Sequence, residues 1–124
     1  MFEQLKNKAI ESHLSGQKKE AEAIYRKMIA HGSTDPVTFH NLGVICRTTN
    51  RQVQAISLFR AALSINPDFA EAHFGLGEAL TGTHPAEAER HYRLTLALNP
   101  GMTVAKDQLG IVLWKMGKIG RAHV

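Results

Sequence analysis

Apolar side chains recur along this chain at intervals of three and four residues, which is the period of one face of an α-helix. One such series consists of Val53, Ile56, Phe59 and Leu63, and another consists of Leu76, Ala79 and Leu80. Polar residues and glycines separate the series. The pattern predicts seven helices, with expected bounds of 2–14, 18–31, 36–48, 52–65, 70–81, 85–98 and 103–116.

Residues that favour turns and helix starts stand between the predicted helices. The turns inside each helix pair are marked by Gly16, Asn50, Gly82 and Gly117. Asp35 followed by Pro36 predicts the start of a helix, because aspartate accepts a first-turn N–H and proline fits the first helical position. Asp68 and Glu71 have the spacing of a capping box, so we expect a second capped helix start there.

The same residue types return every 33 or 34 positions. Leu-Gly pairs occur at 42–43, 76–77 and 109–110, and Asn-Pro pairs occur at 66–67 and 99–100. A series of alanines consists of Ala21, Ala55, Ala88 and Ala122, and an aromatic residue follows the first three at Tyr25, Phe59 and Tyr92. All four series agree on one frame, with repeats at 2–35, 36–69 and 70–102 and an incomplete fourth from 103.

This frame resembles the tetratricopeptide repeat, whose 34-residue pattern contains Leu-Gly, an aromatic residue, Ala-x3-Phe and Pro. The resemblance covers essentially the whole chain, and the repeat at 36–69 matches it best. The repeat at 2–35 departs most, because Lys8-Ala9 replaces Leu-Gly and Ser33 replaces Pro, so we expect its first helix to pack less regularly. The resemblance implies an all-α fold, a right-handed α-solenoid of antiparallel helix pairs, as one domain over 1–124.

Charge and histidine content argue against nucleic-acid binding and metal chemistry. Fifteen Lys and Arg are interleaved with eleven Asp and Glu, a pattern typical of solvated helix faces and not of a nucleic-acid footprint. The seven histidines include no His-Glu-x-x-His and no pair three or four residues apart. We therefore expect no bound metal, no cofactor and no catalytic residue.

The single cysteine and the first residues of the chain give information on the cellular location of the protein. Cys46 cannot form an internal disulfide, and its place in a predicted helix favours a small core residue. The N-terminus has no apolar stretch of signal length, and nothing approaches the roughly 20 apolar residues of a membrane span. The expected location is cytoplasmic, with no membrane partner.

In the tetratricopeptide family, the first helix of each repeat lines a concave groove that takes a peptide or helix of a partner protein. The resemblance therefore implies a non-enzymatic protein-interaction scaffold. Such a surface combines apolar floor with groups that pair a peptide backbone. The family's inner-face positions give Lys6, Asn7, Ile10, His40, Asn41, Val44, Arg47, Phe74, Glu78, Gln108 and Ile111.

Two subtypes of the family can be compared with these positions. The carboxylate clamp for the acidic tails of heat-shock chaperones matches only Lys6 and Asn41; its other three positions hold Ile10, Glu71 and Gly75. Because Glu71 would repel a carboxylate, we do not expect this clamp. The asparagine ladder of the O-linked N-acetylglucosamine transferase matches at Asn7 and Asn41, with Gln108 as a chemical relative.

A second interpretation makes this chain the N-terminal substrate-docking segment of a larger modifying enzyme, such as a glycosyltransferase or sulfotransferase. The amino-acid sequence of the repeats resembles that of bacterial repeats that precede transferase domains. The fourth repeat also supplies its first helix and barely begins its second. We expect an uncovered apolar end there, which either continues into a longer protein or associates with a second copy, and it comprises Leu109, Val112, Leu113, Trp114 and Met116.

Overall fold

The computed structural model describes residues 2–117, and all regular secondary structure within that range is helical. The helices are α1 (Glu3–Leu14), α2 (Lys18–Ala30), α3 (Pro36–Thr48), α4 (Gln52–Ile65), α5 (Ala70–Leu80), α6 (Pro85–Leu98) and α7 (Thr103–Lys115). Every helix end lies within one residue of its predicted position, which confirms the helix predictions. The expected start of a further helix near Ala122 lies outside the described residues.

Two compact units divide the chain, with the boundary between Pro67 and Asp68. In the first unit α1 packs against α2 and α3 against α4, and α2 also contacts α3. In the second unit α5 packs against α6, and α7 lies on α6. That the units form one continuous domain stays a prediction.

Close packing inside two helix pairs depends on a glycine that faces an aromatic ring. Phe59 and Tyr92 are fully buried. A Cβ atom added to Gly43 would lie 2.9 Å from Cε1 of Phe59, and one added to Gly77 would lie 2.7 Å from Cε1 of Tyr92. The repeat frame puts Ala9 at the equivalent position of α1, where it is fully buried. The first helix pair therefore admits a methyl group that the other two exclude.

The predicted helix start at Asp35 is confirmed, and the one at Asp68 is wrong. Oδ1 of Asp35 accepts a hydrogen bond from the backbone N–H of Val37 at 2.9 Å, with Pro36 in the first turn. The N-terminal capping residue of α5 is instead Phe69, and no side chain caps this helix. A capping box at Asp68 requires position 69 to be helical. Phe69 is extended, with φ −80° and ψ 95°, so the helix begins one residue too late.

A cluster of three charged side chains ties α2 to the start of α4. Nη1 and Nη2 of Arg51 each donate to a carboxylate oxygen of Glu22 at 2.7 Å, and Nε of Arg26 donates at 2.9 Å. The hydrogen bonds from Arg51 are the main reason that the pKa of Glu22 falls to about 2. Cys46 is buried nearby, and burial raises the pKa of its thiol, as expected for an inert core cysteine.

We expect Gly43→Ala to lower the free energy of unfolding by about 1–3 kcal/mol, because the added methyl overpacks a filled core. Gly110→Ala is the matched control. A Cβ atom at Gly110 meets nothing within 4 Å beyond its own helix in the described part of the chain. The better helix propensity of alanine should therefore leave stability unchanged or raise it by up to about 1 kcal/mol. Urea denaturation followed by circular dichroism tests both variants, and equal effects would contradict the packing argument.

We expect Glu22→Gln to lower the free energy of unfolding by about 1 kcal/mol at pH 7, the upper range for a partly exposed ion pair. Since folding depresses the pKa of Glu22 from 4.5 to about 2, its contribution is complete above pH 4.5. That contribution is lost as the pH falls through this window. The stability difference between the wild type and the variant should therefore shrink between pH 4.5 and 2 in urea titrations.

Glu20→Gln is the control for this pH profile. Glu20 lies on the same helix, but its carboxylate is 3.9 Å from Nζ of Lys8 in an exposed pair. Its loss should change the free energy of unfolding by less than about 0.5 kcal/mol. A Glu22→Gln difference that persists unchanged at pH 2 would show that the ion pair is not its cause.

Candidate functional site

The first unit carries seven of the predicted binding residues on α1 and α3. Asn7 is exposed, and the other six are half-buried, so none of the seven belongs to the closed core. The six are Lys6, Ile10, His40, Asn41, Val44 and Arg47. All seven are thus on helix surfaces, as their assignment to a binding face requires.

Lys6 has a partner within its own unit. Its Nζ lies 2.6 Å from Oδ2 of Asp35, the carboxylate that also caps α3. The hydrogen bond to Asp35 raises the pKa of Lys6. The Lys6 ammonium therefore joins α1 to the start of α3 and is already neutralised.

Asn41 connects the surface of α3 to the core. Its Nδ2 donates to Oη of the buried Tyr25 at 3.1 Å, and its Oδ1 lies 3.2 Å from Nδ1 of His40. Burial raises the pKa of the Tyr25 hydroxyl, which stays a neutral hydrogen-bonding group at ordinary pH. Since an amide offers two N–H donors and one carbonyl, Asn41 uses part of this capacity inside the protein.

An amide and an apolar side chain one helical turn apart recur on three helices. The pairs are Asn7 with Ile10 on α1, Asn41 with Val44 on α3, and Gln108 with Ile111 on α7. Residues at i and i+3 are neighbours on a helix surface, so each pair forms one small patch. Helix α5 lacks the amide, because Gly75 stands in its place and Glu78 follows.

In the second unit the predicted residues Phe74, Glu78 and Gln108 are half-buried, and Ile111 is 44% exposed. The ring of Phe74 packs at a tilt against Tyr92, with ring centroids 5.8 Å apart. Ile111 borders a shallow surface depression of about 670 Å³ on α7. Phe74 therefore contributes more to packing within its helix pair, and Ile111 is the more accessible apolar group.

The predicted uncovered end is only partly uncovered, and Val112 was wrongly included in it. Val112 is fully buried, as is Ala105 two turns earlier, because α7 lies on α6. Leu109, Leu113 and Met116 are half-buried, and Trp114 is 68% exposed. Only Trp114 of the five presents most of its side chain to solvent.

Two features escaped the sequence analysis because they join residues distant in sequence. One is the Glu22–Arg51 ion pair. The other is a pair of buried histidines, His73 on α5 and His91 on α6, whose Nδ1 atoms lie 3.1 Å apart. A search at helical spacing misses residues 18 apart. A comparison of equivalent repeat positions would have found them, because the other full repeats hold Leu5, Phe39, Ile24 and Leu58 there.

Within 2–117, no three or more His, Cys, Asp or Glu side chains form a group suited to a metal ion. No helix in the same range combines the length and apolarity that crossing a bilayer requires.

Comparison with solved structures confirms the predicted fold class, an all-α solenoid of the tetratricopeptide type. The first tetratricopeptide repeat domain of Spaghetti (RPAP3), bound to the HSP90 peptide SRMEEVD, has a TM-score of 0.87 at 23% identity, covering 91% of this chain and 90% of that one. The Yersinia enterocolitica chaperone SycD, bound to a peptide of the translocator YopD, has a TM-score of 0.84 at 20% identity, covering 93% and 94%. The Thermobaculum terrenum O-GlcNAc transferase has a TM-score of 0.85 at 22% identity, covering 90% of this chain and 22% of that one.

Sequence comparison also finds similarity to tetratricopeptide-repeat proteins. A family model described as tetratricopeptide repeat matches residues 37–69, which is the repeat that fitted the pattern best. Tetratricopeptide repeat protein 8 of Caenorhabditis elegans is 26% identical over 114 residues, 90% of this chain. The matched region spans 22% of that relative's length. Together with the internal period of 33 and 34 residues, these matches show that the chain is similar to tetratricopeptide-repeat proteins.

Proposed function

We propose that this chain is a non-enzymatic interaction scaffold, and that the first helices of its repeats bind an extended peptide segment of a partner protein. The observation that carries the proposal is the recurring amide and apolar pair on α1, α3 and α7. An amide can donate to and accept from a peptide backbone, and an adjacent apolar side chain can receive one of its side chains. Repetition of the pair suits a ligand that is itself a repeating backbone.

Fold likeness supports a peptide as the ligand class. Two of the solved structures that resemble this chain contain a bound peptide, one from HSP90 and one from YopD. Both chains have nearly the same extent as this one, since about nine-tenths or more of each is covered. A peptide partner is therefore the simplest assignment for a surface of this kind.

Charge favours a peptide without an acidic cluster. In the first unit the Lys6 ammonium is 2.6 Å from Asp35 and is neutralised by it. In the second unit Glu71, exposed on α5, would repel a carboxylate. We infer that apolar side chains and backbone groups provide most of the recognition.

The alternative function is substrate docking within a larger modifying enzyme. It is favoured by the likeness of this chain to a segment of the O-GlcNAc transferase, a likeness confined to 22% of that enzyme. Both functions require peptide binding on the first helices. A natural reading frame that continues past Val124 into a catalytic domain would distinguish the docking segment from the independent scaffold.

We expect Asn7→Ala/Val44→Ala to weaken binding of a captured partner about tenfold or more, since two interface contacts are removed. Asn7 is exposed and Val44 is half-buried, so the variant should remain folded. Partners are captured from a lysate of the source organism and identified by mass spectrometry. A peptide of the partner is then titrated by calorimetry against both proteins.

Gln52→Ala is the control for this experiment. It also removes an exposed amide, but from α4, which is the second helix of its repeat and is not part of the proposed binding surface. Its affinity for the peptide should equal that of the wild type. If Asn7→Ala/Val44→Ala binds the peptide as tightly as the wild type, the face formed by α1 and α3 is not the binding surface.

We expect the acidic peptide SRMEEVD to bind with a dissociation constant weaker than about 1 mM. In the first unit the Lys6 ammonium is already neutralised by Asp35, and in the second unit Glu71 would repel a carboxylate. Fluorescence anisotropy of the labelled peptide measures this affinity. Saturable binding in the low micromolar range would contradict the charge argument.

A further inference from the structure

The second unit contains a buried contact between two imidazole rings. His73 on α5 and His91 on α6 are only 8% and 7% exposed. Their Nδ1 atoms lie 3.1 Å apart, the ring centroids are 5.3 Å apart, and the ring planes meet at an angle of 25°. The two nitrogens that face each other are therefore held between two packed helices.

The other full repeats have apolar side chains at these positions. The equivalents of His73 are Leu5 and Phe39, and those of His91 are Ile24 and Leu58, at spacings of 33 or 34 residues. Burial of polar rings carries a cost that apolar residues avoid. Because the other two full repeats fill the equivalent positions with apolar pairs, the need for close packing does not explain why this repeat has two imidazoles.

We propose that His73 and His91 form a binding site for a divalent first-row transition-metal ion, represented by Zn²⁺, which bonds to both Nδ1 atoms. Neutral imidazole is a preferred ligand of Zn²⁺, Ni²⁺ and Cu²⁺. Zn–N bonds of about 2.0–2.1 Å, meeting at a right or tetrahedral angle, place the two nitrogens roughly 2.9–3.4 Å apart. The observed separation of 3.1 Å falls in this range, so the two nitrogens are already at the spacing that an ion requires, and the rings need only turn towards it.

Glu87 is placed to support this site. Its Oε2 lies 3.6 Å from Nε2 of His91, on the same helix one turn away, so a small side-chain movement would bring it to hydrogen-bonding distance. A histidine that bonds a metal through one nitrogen commonly directs its other N–H to a carboxylate, which fixes the ring and raises its basicity. Without an ion, one ring holds a proton on Nδ1 between the two nitrogens. On binding, that proton moves to Nε2 of the same ring, so no proton is lost.

Residues 2–117 would supply two nitrogens to the ion, with water completing its coordination. This follows because no group of three or more His, Cys, Asp or Glu side chains in residues 2–117 is arranged for a metal. Such a site is weaker than a four-ligand structural zinc site and exchanges its ion more readily. Because the ligands come from α5 and α6, the ion would join the two helices and stabilise their pairing.

The test is thermal unfolding of the untagged protein with increasing Zn²⁺. The midpoint should rise by about 5 °C or more once Zn²⁺ reaches about 100 times its dissociation constant. His73→Phe/His91→Leu should show no such rise, because it installs the pair that the second repeat holds at Phe39 and Leu58. His84→Gln, which removes an exposed histidine from the same unit, should respond as the wild type does.

A second measurement on the wild type does not depend on any variant folding. Zn²⁺ should shift the side-chain ¹⁵Nδ1 resonances of two histidines, at a stoichiometry of one ion per chain by calorimetry. The proposal is overturned if Zn²⁺ leaves the wild-type midpoint and these resonances unchanged. It is equally overturned if the double variant gains as much as the wild type, and the histidines are then a hydrogen-bonded contact only.

Discussion

The approach of a helix backbone to an aromatic ring sets the geometry of two helix pairs in this chain. Gly43 and Gly77 have no room for a Cβ atom against Phe59 and Tyr92. Each ring is in turn enclosed completely, so neither partner can move away without opening the core. Helix propensity disfavours glycine at these positions, and the close approach is the compensation.

The rings that fill the helix pairs also carry polar groups towards the surface. The hydroxyl of Tyr25 accepts from Asn41 on α3, and the hydroxyl of Tyr92 lies 2.9 Å from Oγ1 of Thr81 at the end of α5. Core and surface are therefore linked through single side chains. Asn41, one of the proposed binding residues, is held in position by a buried tyrosine, which would reduce the entropy lost on binding a partner.

Local signals predicted most of the fold, and non-local contacts account for what was missed. Helix bounds and the Asp35 cap depend on residues close in sequence. Where one repeat leaves a helix boundary uncertain, the equivalent positions of the other repeats define it. Val112 was misplaced because its burial depends on how α7 lies on α6. For the candidate site, the resemblance supplied positions and residue types. It did not predict the ion pair of Lys6 with Asp35. Whether a surface side chain is already bonded to another residue of the same protein can be seen only in the three-dimensional structure.

The placement of the aromatic chromophores gives this chain separate optical reporters. Its only two tyrosines, Tyr25 and Tyr92, are fully buried, one in each unit. Its single tryptophan, Trp114, is 68% exposed and stands beside Ile111 on α7. Tyrosine absorbance consequently reports on the integrity of the two interiors, whereas indole emission reports on the solvent around one helix. Loss of the core and occupation of that helix can thus be observed in the same cuvette without a label.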